Sequence, residues 1–254
     1  MFRPRVIPVL LLKNNGLVKS IKFKDFRYLG DPINAVRLFN DLLADELAFL
    51  DITATSEGRT ISAEFVKLVG DEANMPFSVG GGIRSVKEIQ HILASGAEKV
   101  IINTHAAENP DFIRDASNEF GSSTIAISID VKRNFFGKEL TYINSGRKST
   151  KFSPVAFTKL MEEKGAGEII VNSIENDGMM EGYDIDLIRR VSESVRIPVV
   201  ALGGAGRYSD FSKAVKEGYA SAVAAGSMFV YHGSRKAVLI NYPEQQQLKN
   251  LFGD

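Results

Sequence analysis

Two glycine-rich stretches at corresponding places in the two halves of the chain constrain its fold most strongly. They are Val79-Gly80-Gly81-Gly82-Ile83 and Leu202-Gly203-Gly204-Ala205-Gly206, and each follows an apolar run and precedes a helical pattern. Glycine lets backbone N–H groups approach an anion closely, and the N-terminus of the following helix favours negative charge. One such cluster is more often a tight turn, but the pair predicts a ligand with a phosphate at each end.

Short apolar runs rich in β-branched residues alternate with helical patterns along the 254 residues. The runs predict strands at residues 5–12, 46–52, 76–79, 99–102, 124–130, 168–172, 198–202 and 221–224. Helices are predicted between them at residues 33–43, 63–69, 86–94, 110–119, 154–164, 186–195 and 208–216. Strands alternating with helices over a chain of about this length fit a (β/α)8 barrel, and a doubly wound parallel sheet is the alternative.

An internal repeat favours the barrel. The first half contains Phe49-Leu50-Asp51-Ile52, then Val79-Gly80-Gly81-Gly82, then Ile101-Ile102-Asn103-Thr104. The second half contains Ile127-Ser128-Ile129-Asp130, Val171-Asn172-Ser173-Ile174, Leu202-Gly203-Gly204-Ala205-Gly206 and Ala224-Ala225-Gly226-Ser227. Two half-barrels, of about residues 1–122 and 123–254, explain this order, so the chain is predicted to be a single (β/α)8 TIM barrel domain. Because the strand ends then share one rim, both glycine stretches should lie across a single mouth.

The composition excludes several classes of protein. Lysine plus arginine and aspartate plus glutamate number 31 each, so no charge excess favours nucleic acid or a basic partner. The chain has no cysteine, and its 3 histidines show no metal-ligand spacing, so neither a metal nor another cofactor is expected. No signal peptide or membrane span is indicated, and a cytoplasmic location is the default expectation.

Acidic residues at strand ends are candidates for general acid or base catalysis. Asp130 ends the fifth predicted strand, and Asp177 precedes Gly178 in the loop after the sixth. Both are predicted to be catalytic, although an aspartate before a helix often serves as a cap. Asp51, at the end of the second strand, fits a structural role as well as a functional one.

The predicted mouth also collects loop residues. Lys19 follows a predicted flexible loop at residues 12–19 and is either a ligand for phosphate or a solvated surface lysine. Thr104 and Ser227 are candidates for binding phosphate or for capping the helices that follow them. Residues 135–143 predict a hairpin insertion on the same rim, and the tail from residue 238 is expected to pack outside the barrel.

The ordered set of motifs resembles the cyclase subunit of imidazole glycerol phosphate synthase over almost the whole chain. The matching segments include Gly30-Asp31-Pro32, Phe49-Leu50-Asp51-Ile52-Thr53-Ala54, Gly165-Ala166-Gly167-Glu168, Asp177-Gly178 and both glycine stretches. The resemblance implies a lyase or synthase whose barrel binds a bisphosphorylated substrate at its mouth. The ligands that it implies for that substrate are Lys19, Gly81, Gly82, Asn103, Thr104, Gly203, Gly204, Gly206, Gly226 and Ser227.

The resemblance also implies a protein partner. Members of this family form a heterodimer with a glutaminase subunit at the amino-terminal face of the barrel, and ammonia travels from it through the barrel axis. Their ammonia gate is a ring of alternating charges, matched here by Arg5, Glu46, Lys99 and Glu168. A purely structural layer of salt bridges is the alternative interpretation of these four residues.

The sequence departs from the family at the end of the first strand. The family places carboxylates at the ends of strands one and five, but Leu11 occupies the first position, and Leu202 and Asn172 replace small hydroxyl residues. Leucine cannot transfer a proton, and losing an acid or base commonly lowers a rate by a factor of about 10² to 10⁴.

Two functions therefore stay open. The first is an enzyme that adds channelled ammonia to a phosphorylated substrate. The second is a cyclase-deficient partner that channels ammonia to a third protein, an amidotransferase of surface-polysaccharide sugar biosynthesis. A scaffold that only activates the glutaminase is less favoured, because it would not need the two glycine stretches.

Overall fold

The computed structural model describes residues 3–233 and 235–253 of the chain. Its main feature is a closed barrel of parallel strands surrounded by helices, which confirms the predicted (β/α)8 barrel over the doubly wound sheet. The barrel strands are β1 (Arg5–Lys13), β2 (Leu47–Asp51), β3 (Phe77–Gly80), β4 (Lys99–Ile102), β5 (Ile125–Arg133), β6 (Glu168–Ser173), β7 (Val199–Leu202) and β8 (Ala222–Ala225).

The barrel closes through β1, which pairs in parallel with β8 on one side and with β2 on the other. Ile7 lies opposite Ala224, and Val9 lies opposite Ala48. Parallel ladders continue from β2 to β8, including the pairing of β5 with β6. All carboxyl ends of the strands therefore meet at one rim, here called the mouth, and all amino ends meet at the opposite face, here called the foot.

Helices cover the outside of the barrel. They are α1 (Pro32–Asp41), α2 (Ala63–Glu72), α3 (Val86–Ala94), α4 (Thr104–Glu108), α5 (Asp111–Phe120), α6 (Pro154–Glu163), α7 (Ile185–Ser192), α8 (Tyr208–Lys216), α9 (Ser227–Val230) and α10 (Gln245–Phe252). Several begin with a side-chain cap: Ser85 and Glu88, for example, form a reciprocal capping box on α3. No helix within the described residues has the length and apolar composition needed to cross a membrane.

Alternation along the strands separates two apolar layers. Val6 and Leu10 of β1 pack outwards against the helices, whereas Ile7 and Val9 face the barrel axis. This period of two is typical of a barrel whose strands are covered on both sides. The side chains inside the barrel are therefore set by the strand register, and they form a continuous column from foot to mouth.

The prediction of a flexible loop at residues 12–19 is wrong. The chain continues β1 to Lys13, turns at Asn14 and Asn15, and returns as the strand Gly16–Ile21, which pairs with the strand Lys24–Gly30. Both asparagines have positive φ angles of 50° and 61°, as a tight hairpin turn requires. We call these two strands the β1 hairpin; its first strand is almost wholly buried.

A second excursion stands on the same rim. The end of β5 pairs with the antiparallel strand Glu139–Ile143 to form what we call the β5 hairpin, which confirms the predicted insertion. The tail packs outside the barrel, also as predicted. The Tyr242 hydroxyl donates to the Val6 carbonyl at 2.9 Å and accepts from the Asp45 N–H at 3.2 Å, so the tail is fixed to the foot.

The first glycine stretch provides a test of backbone packing. Gly82 has a φ of +68°, and a Cβ added there would lie 1.9 Å from the Arg59 carbonyl oxygen. Gly58 has a φ of +67° but no atom within 4 Å of such a Cβ. Since a left-handed backbone alone costs alanine about 1 kcal/mol, we expect Gly58→Ala to lower the free energy of unfolding by about that amount. Gly82→Ala should lower the free energy of unfolding, measured in urea, by at least about 3 kcal/mol, because the clash with the Arg59 carbonyl adds to the strain of the left-handed backbone. Equal costs for the two variants would contradict this packing.

Candidate functional site

A pocket of about 320 Å³ opens at the mouth of the barrel. Its wall combines strand ends with the β1 hairpin and residues that follow the β5 hairpin. Eight of the predicted site residues line it, namely Lys19, Gly81, Gly82, Asn103, Thr104, Asp130, Asp177 and Gly226. The mouth is the usual position of active sites in this fold, so the pocket is the candidate functional site.

Asp130 is a buried acid of the pocket. Its carboxylate is buried and accepts hydrogen bonds from Asn172 Nδ2 at 3.1 Å and from Asn103 Nδ2 at 3.3 Å. Burial raises the pKa of Asp130 to about 7, although the Asn172 hydrogen bond opposes the shift. A carboxyl group with a pKa near neutrality is suited to give and take a proton at physiological pH.

Lys19 is buried at the mouth rather than exposed on the surface. Its Nζ donates to the Val9 carbonyl oxygen at 2.6 Å, and burial lowers its pKa to about 8. A Cβ at Gly226 would lie 2.0 Å from that Nζ, so a side chain there would displace the lysine ammonium group. The placement supports a cation directed at the pocket and excludes the solvated alternative.

Asp177 joins two elements at the edge of the pocket. Its carboxylate accepts from Ser20 Oγ at 3.3 Å, and its carbonyl accepts from the Lys22 N–H at 3.0 Å. Burial raises the pKa of Asp177, and the charge of nearby Lys19 lowers it. The β1 hairpin is therefore tied to the loop between β6 and α7, which gives Asp177 a positioning role in addition to the predicted catalytic one.

Leucines occupy the floor of the pocket. Leu11 lies opposite Leu50 in the ladder between β1 and β2, and Leu202 ends β7. All three face the axis together with the apolar residues below them. The floor is thus apolar on the side of β1, whereas Asp130 and Asn172 make it polar on the side of β5 and β6.

The two glycine stretches have different surroundings. Gly81 and Gly82 line the pocket, but the second stretch packs against the loop between β6 and α7. The Gly182 N–H donates to the Gly204 carbonyl at 2.8 Å, and a Cβ at Gly206 would lie 2.1 Å from the Met180 carbonyl oxygen.

Four predicted ligands of the second half stand apart from the pocket, whereas Gly226 lines it. Those outside its wall are Gly203, Gly204, Gly206 and the buried Ser227, which begins α9. Their role in binding phosphate stays a prediction.

Asp51 has a structural role. Its carboxylate accepts from the backbone N–H groups of Thr53 and Ala54, each at 3.1 Å, and pairs with Arg59 at 2.5 Å. It therefore caps the turn that follows β2, as the structural interpretation predicts.

Several polar residues at the pocket were not predicted as site residues, among them Asn144, Ser145 and Asn172. Asn172 holds Asp130, while Asn144 and Ser145 follow the β5 hairpin and line the pocket. The turn signal Asn144-Ser145-Gly146 directly after a strand could have indicated the latter two. The partner of Asp130 depends on the lateral pairing of β5 with β6, which has no local sequence signal.

The four predicted gate residues converge at the foot. Arg5 pairs with both Glu46 and Glu168, and Lys99 Nζ lies 3.1 Å from Glu168 and 3.6 Å from Glu46. The four side chains form a closed ring of alternating charge across the axis. Burial raises the pKa of Glu46, whereas the charges of Lys99 and Arg5 lower it.

A small cavity of about 10 Å³ lies on the axis above this ring. That is about the space of one water-sized molecule. Glu46 and Glu168 border its lower end, and Leu50 and Leu202 border its upper end, where they also line the mouth pocket. The hydroxyl side chains of Ser78 and Ser128 reach it from the sides. The cavity thus lies between the charged ring and the pocket.

Within the described part of the chain, no group of three or more His, Asp or Glu residues is arranged to hold a metal ion. The expectation of a site that works without metal or cofactor stays a prediction.

Fold and site together define a class of protein: a (β/α)8 barrel with a polar pocket formed by strand ends and an ionic ring across its opposite face. The family model described as histidine biosynthesis protein matches residues 5–235, and the chain belongs to this family.

Relatives extend the same assignment to nearly the full length. Proteins of Leptospira interrogans and Pseudomonas aeruginosa are 42% and 43% identical over 99% and 98% of this chain, and over 100% and 99% of their own length. They are provisionally named imidazole glycerol phosphate synthase subunits, HisF and hisF2. Imidazole glycerol phosphate synthase subunit HisF of Alkaliphilus metalliredigens is 42% identical over 91% of this chain and 92% of its own. The resemblance seen in the sequence is confirmed, and the chain is a HisF-like protein.

The pKa of Asp130 leads to a stability test. Because the folded protein raises this pKa from 3.8 to about 7, folding favours the protonated acid, and this contribution is lost as the pH rises through 7. An asparagine side chain cannot ionise, so Asp130→Asn does not lose this contribution. The free energy of unfolding of the variant minus that of wild type should therefore rise by about 2 kcal/mol between pH 5 and pH 7.5. Urea unfolding of both proteins at the two pH values measures this. If the difference in free energy of unfolding between the two proteins were the same at both pH values, Asp130 would titrate with its ordinary pKa.

Proposed function

We propose that the protein is the ammonia-conducting subunit of a glutamine amidotransferase: it receives ammonia from a glutaminase at the foot and delivers it through the barrel axis to the mouth. HisF proteins work with a glutaminase subunit, which supports a partner of this kind. The observation that carries the proposal is the ionic ring, which spans the axis below a small cavity that shares Leu50 and Leu202 with the mouth pocket.

The ring has the properties of a gate. Its two carboxylates are almost fully buried, and buried charges are costly unless they are paired. Lys99 is the weaker partner, since its contact with Glu46 is 3.6 Å long while Arg5 bonds both glutamates directly. Displacement of the lysine side chain would open the ring without breaking the arginine pairs. Uncharged ammonia could then enter the axis, whereas ammonium would have to lose its hydration among apolar side chains.

The mouth pocket fits a phosphorylated ligand. Gly81, Gly82 and Arg84 line one side, and the buried Lys19 supplies a cation on another. Asp130 is the residue that would exchange a proton with such a ligand, because its pKa lies near neutrality. In this scheme ammonia emerges between Leu50 and Leu202 onto the pocket floor beside Asp130.

Leu11 favours delivery of ammonia over ring closure at this mouth. Two-carboxylate chemistry needs a second acid or base across from Asp130, and the inward position on β1 carries a leucine. We therefore propose that the protein is deficient in the cyclisation from which its relatives take their name, and that it passes ammonia to a further acceptor. Cyclisation is the second candidate, supported by Asp130 and by the names of the relatives.

Breaking the ring should uncouple the two activities. In the complex with its glutaminase, Glu46→Ala or Lys99→Ala removes one member of the ring, so that the ring no longer closes across the axis although each remaining charge keeps a partner. We expect glutamine hydrolysis to continue while transfer of its nitrogen to the acceptor falls at least tenfold. Glutamate release and acceptor product are measured in the same assay, and the ratio of product to glutamate reports how tightly the two activities are coupled.

The matched control is Glu72→Ala, which removes an exposed ion pair with Arg37 on the helical surface. This variant should keep the wild-type ratio of product to glutamate. If the ring variants kept that ratio as well, the ring would be only a salt-bridge layer.

Restoring the missing acid should restore cyclisation. With ammonia and the bisphosphorylated substrate of imidazole glycerol phosphate synthase, we expect no turnover by the wild-type protein. Leu11→Asp should form imidazole glycerol phosphate at least about 10²-fold above background, and Leu11→Asn, which is polar but cannot ionise, should not. Efficient turnover by the wild-type protein would overturn the proposed deficiency.

A further inference from the structure

The tip of the β5 hairpin carries two adjacent aromatic side chains that the fold does not use. Phe135 is 98% exposed and Phe136 is 87% exposed. Their rings lie edge to face, with centroids 5.6 Å apart. Scattered apolar residues are common on protein surfaces, but two neighbouring phenylalanines projecting into water present a concentrated apolar area. Such rings are typical anchors of protein interfaces.

The turn that carries these rings is hydrogen-bonded throughout. The Asn134 side-chain oxygen accepts from the N–H groups of Phe136 and Lys138, each at 3.0 Å. The Asn134 N–H donates to the Lys138 carbonyl at 2.9 Å, and the Gly137 N–H donates to the Asn134 carbonyl at 2.9 Å. Gly137 supplies the positive φ of 74° that closes the turn. The backbone that carries the rings is thus fixed before any partner binds, which reduces the backbone entropy lost on binding.

The tip extends from the mouth rim towards α7, because Glu139 beside it lies 2.6 Å from Arg190 and Arg133 lies 4.0 Å from Asp184. Asp130, inside the pocket, lies opposite Tyr142, and Arg133 lies opposite Glu139 near the tip. At about 3.3 Å per residue, the phenylalanines project roughly 15 Å beyond Asp130. The chain then returns to the pocket wall at Asn144 and Ser145. A partner that grips the rings is therefore brought to the rim where ammonia would leave the barrel.

The β5 hairpin and the chain directly after it are rich in basic residues. Residues 132–151 contain Lys132, Arg133, Lys138, Arg147, Lys148 and Lys151 but a single acidic residue, Glu139. Glu139 pairs with Arg190 at 2.6 Å and with Arg133 at 3.3 Å, and Arg133 also lies 3.4 Å from Glu175. Lys132 and Lys138 are the lysines next to the tip. An apolar socket bordered by aspartate and glutamate would complement both the rings and this charge.

We propose that the tip of the β5 hairpin, through Phe135 and Phe136, anchors the ammonia-consuming enzyme to the mouth face by insertion into an apolar socket with an acidic border. The proposal rests on the proposed function, since an acceptor enzyme must sit at the mouth if ammonia leaves there. Ammonia that entered bulk water at neutral pH would be protonated and lost, so a docked acceptor is the arrangement that preserves it. Glutaminase and acceptor would then occupy opposite ends of one barrel.

Photo-crosslinking in the source organism identifies the partner. The photoreactive residue p-benzoylphenylalanine replaces Phe136 in one strain and Tyr219, which is exposed just before β8 at the foot, in a second. We expect the probe at position 136 to capture an enzyme that consumes ammonia, and the probe at position 219 not to capture it. Capture of only the glutaminase at position 136, or of the same enzyme at both positions, would contradict the proposal.

Binding measurements with the captured enzyme then test the rings directly. The double variant Phe135→Ser, Phe136→Ser should bind it at least 30-fold more weakly, with the thermal midpoint and glutaminase binding unchanged. Tyr219→Ser is the control and should bind as wild type does. Unchanged affinity of the double variant would overturn the proposal. The proposal would also be wrong if the wild-type protein bound vesicles of phosphatidylethanolamine and phosphatidylglycerol and the double variant did not. It would likewise be wrong if the wild-type protein formed a dimer that the double variant abolished.

The two proposals fail in distinguishable ways. If the wild-type assembly moves no nitrogen from glutamine to the acceptor, the proposed function is wrong, whatever the affinity of the hairpin. If nitrogen is transferred equally well by wild type and by the double variant, channelling stands and the docking site is wrong.

Discussion

Closure of the sheet through β1 is the constraint on which the rest of the structure depends. Because β1 forms parallel ladders with both β8 and β2, every second side chain along it faces the axis. These inward positions run from Arg5 at the foot through Ile7 and Val9 to Leu11 at the mouth. A slip of one residue would turn this column outwards and bury its apolar neighbours in the wrong layer. One register therefore fixes the ionic ring, the axis and the floor of the pocket.

The two ends of this column hold charge in opposite ways. At the foot, four buried or half-buried charges neutralise one another, which offsets the cost of removing them from water. At the mouth, burial shifts the pKa values of Asp130 and Lys19 towards neutrality from opposite directions. Stability alone does not favour such groups, and their concentration in a pocket is typical of functional sites. This contrast supports the proposed roles of the foot as a gate and of the mouth as a ligand site.

Much of this arrangement follows from the sequence, and the failures have physical causes. The alternation of apolar runs predicts the barrel and places β4, α3 and α8 at their observed bounds. Convergence of the ring residues could be predicted only through the resemblance, because nothing local indicates which strands face each other. The pattern misses the β1 hairpin because its asparagine turn is also typical of a loop. The second glycine stretch lies outside the pocket because Met180 and Gly182, from a distant loop, pack against it.

Conduction through the barrel requires ammonia to pass from foot to mouth without entering bulk solvent. The most direct measurement supplies the assembled complex with glutamine carrying ¹⁵N in its amide, together with an excess of unlabelled ammonium, and reads the isotope in the acceptor product by mass spectrometry. Conduction through the axis predicts product labelled almost entirely with ¹⁵N, and a Glu46→Ala complex should lose that preference. Product carrying mainly unlabelled nitrogen in the wild-type complex would show that ammonia mixes with solvent, and the proposed conduction would be wrong.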